Sequence, residues 1–219
     1  MAQTRAQLVN YVTDKFGVTT DAVKTRAKGF YDSRYRMIQD QFLWRQLKVS
    51  ESQTVSSGVQ DITLTSAIGD VIAVRWNNRR LLPVQQEQVF ALDPEAFDSA
   101  GEVVGFSVLP KTDAGLCKIR LYETPQDSKE VLVLGKAPPE TLTDDQSPRI
   151  SAIDQALQAY VLGDLWQSIR QFSKADALFN EAQKYLADMI RLEQEQSAYD
   201  ARIIPYDDEQ YDRDDLFYE

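Results

Sequence analysis

The sequence predicts an α+β protein, and three observations lead there. Apolar residues recur at helical spacing in the first 48 residues and again after residue 150, whereas between about 49 and 136 they alternate with period two. Proline brackets the last strand of that region, Pro125 before it and Pro138-Pro139 after it. With 219 residues, 43% of them hydrophobic, the chain is long enough to bury a core as one domain or as a body with a sub-domain. The expected organisation has residues 1–48 and 137–205 forming one helical body. A mostly antiparallel β sub-domain, 49–136, is inserted in it, and an extended acidic-aromatic arm, 206–219, follows.

The elements are justified in chain order. Thr4 with Gln7 fits a capping box, Leu8, Val9, Val12 and Phe16 share a face, and Gly17 is a natural stop, so a first helix is expected near 5–16. A second, longer helix starts at Thr20 or Asp21. Val23, Ala27, Phe30, Tyr31, Arg34, Met37 and Ile38 keep its spacing, and Trp44 closes it at a turn into extended chain.

Strands are expected over 49–55 and 60–64, flanking Ser57-Gly58, and over 70–76, which a turn at Asn77-Asn78 returns into 79–84. Residues 85–92 predict a short helix and 93–101 a loop. Segments 102–110 and 116–122 pair across "KTDAG", with Cys117, Ile119 and Leu121 facing one way and Lys118, Arg120 and Tyr122 the other. "KEVLVLG" is the last strand.

After a Pro-rich acidic linker, Ser151 and Ser173, each followed three residues on by Asp, signal two helix starts and hence an αα-hairpin. Ala175, Ala177 and Ala182 allow the two helices a close approach. The second exceeds 25 residues and is expected to project beyond the body.

Composition narrows the function. There is no histidine, which removes the commonest general base, the commonest metal ligand and every His-containing triad. Cys117 is the single cysteine, placed by its alternation with Ile119 and Leu121 as buried filler. No phosphate loop or nucleophile elbow occurs. The carboxylate pairs Asp144-Asp145, Asp207-Asp208 and Asp214-Asp215 have the chemistry for Mg²⁺ or Ca²⁺, but nothing in their spacing pre-organises them. No cofactor and no catalytic or metal-binding residue is expected. No apolar run approaches a membrane span, and the N-terminus lacks an apolar signal-peptide core, so no membrane contact and a cytoplasmic product are expected.

Charge is unevenly spread. The net value is −10, yet residues 1–49 carry nine Lys/Arg against four Asp/Glu, whereas 206–219 carry seven acids against Arg213 alone. Surfaces of opposite sign suit contacts between copies. Lys24, Lys28, Arg34 and Arg36 on the second helix form a candidate inter-subunit basic face. The alternative use of that helix, nucleic-acid binding, runs against an acidic whole. A further alternative is a metal-dependent hydrolase built on carboxylates.

The tail "YDDEQYDRDDLFYE" is acidic but keeps Tyr206, Tyr211, Phe217 and Tyr218, and purely solvating tails are poor in rings. It reads as a docking arm. Asp207, Asp208, Asp214 and Asp215 select a basic surface, and Leu216, Phe217 and Tyr218 anchor it beside Tyr206 and Tyr211.

The order of parts, with Trp44, the "LYETP" turn at Leu121–Pro125, the "KAPP" and "DDQSPRI" segments and the terminal hairpin, resembles the head-to-tail connector, or adaptor, proteins of tailed bacteriophages. The resemblance covers nearly the whole chain as an ordered pattern. It implies a non-enzymatic structural protein of the virion neck, made in the host cytoplasm, that forms a ring of copies, typically twelve-fold, beneath the portal protein. Such a ring extends the channel through which double-stranded DNA passes without sequence-specific binding and offers an attachment surface to tail or nozzle proteins. The C-terminal segment is implied to lie along the portal or a neighbouring subunit.

Overall fold

A computed structural model describes residues 3–85 and 100–203, and the fold is α+β. Nearly all of the expected helix at 85–92 and of the expected loop at 93–101, and the whole arm at 206–219, lie outside the described residues.

Helix α1 (Arg5–Phe16) starts as its sequence requires. The Thr4 hydroxyl accepts from the Gln7 N–H at 3.3 Å, and the Gln7 side chain accepts from the Thr4 N–H at 2.9 Å. Gly17 ends it in the left-handed region, φ 83°, where a side chain would be strained. Helix α2 (Asp21–Gln41) buries Ala27, Tyr31, Tyr35, Ile38 and Gln39. It stops one turn short of Trp44, because Phe42 is already extended, and a 3₁₀ turn, Arg45–Leu47, leads into the first strand.

Two four-stranded sheets follow. One has the order β1 (Lys48–Val55), β10 (Lys129–Lys136), β3 (Asp70–Trp76), β4 (Arg79–Arg80), antiparallel throughout. The other has the order β2 (Asp61–Thr63), β8 (Lys118–Tyr122), β7 (Gly105–Leu109), β5 (Leu82–Pro83), with β5 parallel to β7. A two-residue pair, β6 (Ala100–Gly101) with β9 (Thr124–Pro125), is also parallel. β1 and β2 flank the Gly58 turn but enter different sheets, so that turn carries the chain from one layer to the other. Asn77 and Asn78, at φ 47° and 67°, make the tight β3–β4 turn.

Inward residues of both sheets, among them Val74, Trp76, Phe106, Ile119, Leu121, Val131 and Val133, share one hydrophobic cluster with Cys117. Burial pushes the Cys117 thiol up, and its S–H donates to the Gly69 carbonyl at 2.9 Å. Tyr122 keeps the expected alternation, on the face of Arg120 and opposite Leu121. It is buried, with its hydroxyl 3.1 Å from Ser107 Oγ, because both faces of β8 are covered there.

Helices α3 (Asp154–Ser168) and α4 (Phe172–Ile203) form the hairpin. Neither serine starts its helix. Ser151 lies in the turn before Ile153 and accepts from the Gln46 side chain at 3.1 Å. Asp154 instead receives the Gln3 N–H at 3.0 Å. Ser173 is already inside the first turn of α4, where the Ala175 N–H returns to the Gln171 carbonyl. Ala175 and Ala182 are buried as expected, but Ala177 is exposed. A close approach falls at Gly163, where a Cβ would sit 2.6 Å from the Phe179 ring. The four helices share a second cluster around Tyr31, Tyr35, Trp44, Leu157 and Leu186.

Candidate interaction surfaces

Backbone register places Asp61 of β2 opposite Arg120 of β8. The carboxylate takes both arms of the guanidinium, at 2.6 and 3.0 Å, and Lys118 approaches at 2.7 Å. The Arg120 hydrogen bond, more than Lys118, holds the Asp61 carboxyl down at about 2. Its stabilisation is therefore complete above the unfolded value near 4 and is lost as pH falls through about 2. Asp61→Asn is expected to cost about 1 kcal/mol at pH 7, allowing for solvent screening. The gap to the parent should close between about pH 4 and 2 in urea unfolding curves. A gap unchanged across that range would show that the ion cluster carries no stability.

The linker at 137–150 is a strap across the helical body. Its Leu142 and Ile150 enter the helical cluster. Arg5 and Ala6 donate their backbone N–H groups to the Gln146 and Asp144 carbonyls, at 2.9 and 3.0 Å. The Arg5 side chain joins Asp32 of α2 to Asp144 of the strap, and Lys28 reaches the other Asp144 oxygen at 2.5 Å. Lys28, ahead of Arg5, holds the Asp144 carboxyl below its ordinary range. Higher up, the Tyr35 hydroxyl donates to Glu140 and accepts from the Arg149 N–H, while Arg149 pairs with Glu140 at 2.8 Å. Burial and the Glu140 carboxylate drive the Tyr35 phenol far upward, so it stays protonated.

This geometry separates the four basic residues proposed as one face. Lys28 is engaged by the strap. Arg34 points between helices, bidentate to Asp164 of α3 at 2.8 and 2.6 Å, with its guanidinium 5.0 Å from the Tyr160 ring centroid and 5.1 Å from that of Phe179. Lys24 is half-buried, and only Arg36 of the four is exposed, at the rim of a groove between α2 and the strap. Asp144 is held by two cations and Asp145 accepts from the Thr143 hydroxyl at 2.5 Å. Among the described residues, no cluster of three or more Asp, Glu, His or Cys is placed to hold a metal ion. None of their helices is long and apolar enough to cross a membrane.

Two further open surfaces among the described residues bear on contacts with partners. One is a groove of about 310 Å³ between α1, α3 and α4, lined by Tyr11, Lys15, Gln158, Leu162 and Tyr185. The other is the outer face of the β1–β10–β3–β4 sheet, which exposes Ile72, Leu132 and Leu134 beside Arg75 and Arg80. Sequence reasoning passed over this sheet face. Its signal was present in "KEVLVLG", where leucine alternates with valine and leaves both faces of one strand apolar. The arm residues Tyr206, Asp207, Asp208, Tyr211, Asp214, Asp215, Leu216, Phe217 and Tyr218 lie outside the described residues. Comparison of the chain with models of known families and with curated proteins gives no match.

Proposed function

We propose that the chain is a ring-forming head-to-tail adaptor of a tailed bacteriophage, a structural subunit of the virion neck. It docks on the portal protein, extends the DNA channel and presents the surface to which tail or nozzle proteins attach. The observation that carries this reading is the order of parts along one chain: two helices, a Trp44 turn, a β region, a Pro-rich strap and a terminal αα-hairpin ending in a 32-residue helix.

Two features favour a scaffold over the alternatives. Lys28 and Arg34 are spent on internal carboxylates, which weakens α2 as a phosphate-binding helix. Asp144 is likewise occupied by Arg5 and Lys28, which weakens the Asp144-Asp145 pair as a metal site. In a ring, the groove between α1, α3 and α4 is a natural place for a neighbouring copy, as a heterologous contact that closes on itself. An acidic protein also suits a channel wall that lets DNA pass, since retention of a polyanion needs Lys and Arg contacts to phosphate.

The decisive experiment is electron microscopy of the protein mixed with a portal, or of the virion neck. The expected result is a ring of density on the tail-facing end of the portal, and a bare portal at saturating protein would sink the reading. Removing residues 206–219 is expected to weaken docking to portal particles at least tenfold in a pelleting assay. The circular dichroism of the body should not change.

A further inference from the structure

The outer face of the β1–β10–β3–β4 sheet owes its apolar character to a register shift. Opposite Leu134 and Gly135 of β10, strand β3 carries one residue too many: Leu134 pairs with Ala73 and Gly135 with Val71, leaving Ile72 without a partner. Such a bulge turns the extra residue off the normal alternation. Ile72 and Ala73 therefore line the same shallow groove of about 420 Å³ as Leu132 and Leu134. Each of Ile72, Leu132 and Leu134 is 37–38% exposed, which gives this sheet face a contiguous aliphatic patch. Arg75 and Arg80, opposite each other in β3 and β4, border it. Both are exposed, and neither has an ion-pair or hydrogen-bond partner among the described residues.

A partner for this face needs apolar groups for the groove and carboxylates for the two guanidinium groups. A second copy of the same face brings two more arginines against the first pair and is disfavoured. The chain's own last residues have the complementary composition: Leu216, Phe217 and Tyr218 directly follow Asp214 and Asp215.

Reach permits the contact within one molecule. Along α4, Gln196 accepts from Arg45 at 3.2 Å, only three residues before β1 begins. From Gln196 the helix runs seven residues further, a rise of about 10 Å. Ser50, at the edge of the groove, is five residues from Arg45, at most about 17 Å of chain. Residues 204–219 span up to about 50 Å when extended, enough to cover that separation. Tethering also raises the local concentration of the segment to roughly millimolar, so a weak contact is populated.

We propose that residues 204–219 dock in the same molecule on the outer face of the β1–β10–β3–β4 sheet, with the Leu216–Tyr218 cluster in the groove and Asp214 and Asp215 against Arg75 and Arg80. The contact does not depend on the adaptor reading, because it is a property of the free chain. A failure here leaves the portal experiment untouched, and the reverse also holds.

The test is disulfide trapping in the full-length protein, whose native Cys117 is buried. Leu132→Cys combined with Phe217→Cys is expected to give an intramolecular disulfide in most molecules, at a rate independent of protein concentration. The control pairs Phe217→Cys with Ile169→Cys, an exposed position in the turn between α3 and α4, and should react at least tenfold more slowly. Adding Arg75→Glu and Arg80→Glu should slow the first pair about tenfold. With the arginines intact, 0.5 M salt should slow it several-fold without any change to the sheet. Equal rates for the two pairs would mean that the tether alone brings the cysteines together. Predominantly crosslinked dimers would mean that the face takes the segment of a second copy. Either result overturns the proposal.

Discussion

Arg34→Ala is expected to lower the unfolding free energy by about 3 kcal/mol, because it leaves the Asp164 carboxylate buried and unpaired. The Asp164 side chain is only 9% exposed, and Arg34 supplies both of the hydrogen bonds that hold its two oxygens. The same guanidinium lies over Tyr160 of α3 and Phe179 of α4, so one side chain couples three helices. Desolvation is what makes the loss large, since an exposed pair of the same geometry is worth under about 1 kcal/mol. Arg34→Lys keeps the charge but not the planar fork, and is expected to recover only part of the loss. Arg34→Met combined with Asp164→Leu removes both charges and should recover most of it. Urea unfolding followed by circular dichroism reads all four proteins. A single alanine variant within 1 kcal/mol of the parent would show that the pair is only decorative.

Trp44→Ala is the second large effect, with an expected cost of about 3–5 kcal/mol. Trp44 is fully buried, its indole N–H donates to the Ile38 carbonyl at 2.8 Å, and its ring meets that of Phe42 edge-on at 5.2 Å. The Ile38 carbonyl lies in the last turn of α2, where carbonyls lack helical partners, so the indole also finishes the helix. The residue stands where the helical cluster gives way to β1, and Leu47 beside it accepts the Ala137 N–H at 2.7 Å from the chain leaving β10. Trp44→Phe should retain most of the packing and lose the hydrogen bond, costing about 1–3 kcal/mol. Together these changes approach a sizeable fraction of the 5–15 kcal/mol typical of a whole domain, so Trp44→Ala should also lower the yield of folded protein. Thermal unfolding of the two variants separates the volume lost from the bond lost.

Local signals were readable wherever the chemistry is local. The Thr4–Gln7 capping box, the Gly17 stop, the Asn77-Asn78 turn and the β7–β8 pairing across "KTDAG" all stand where spacing and turn residues put them. The caps and turns depend on atoms within a few residues of one another, and the β7–β8 pairing on strands joined by one short turn. The starts of α3 and α4 misled, because a serine followed three residues later by aspartate is satisfied equally well by a turn. At Ser151 the competing partner, Gln46, comes from a distant part of the chain.

The same division runs through the candidate surfaces. Lys24, Lys28, Arg34 and Arg36 look alike in sequence, four bases within thirteen residues of one helix. Only packing distinguishes them. Lys28 meets a strap more than a hundred residues away, and Arg34 meets Asp164 across the helix interface. Composition and periodicity established the α+β class, the absence of histidine chemistry and an acidic-aromatic end, since these belong to residues taken singly or in short windows. Which charges are internal, which apolar strand face stays open and how the long helix packs on the body depend on pairings between distant segments. A β-bulge moves Ile72 to the open face, and no pattern in "DVIAVRW" announces it, because a bulge exists only relative to the strand that pairs with it.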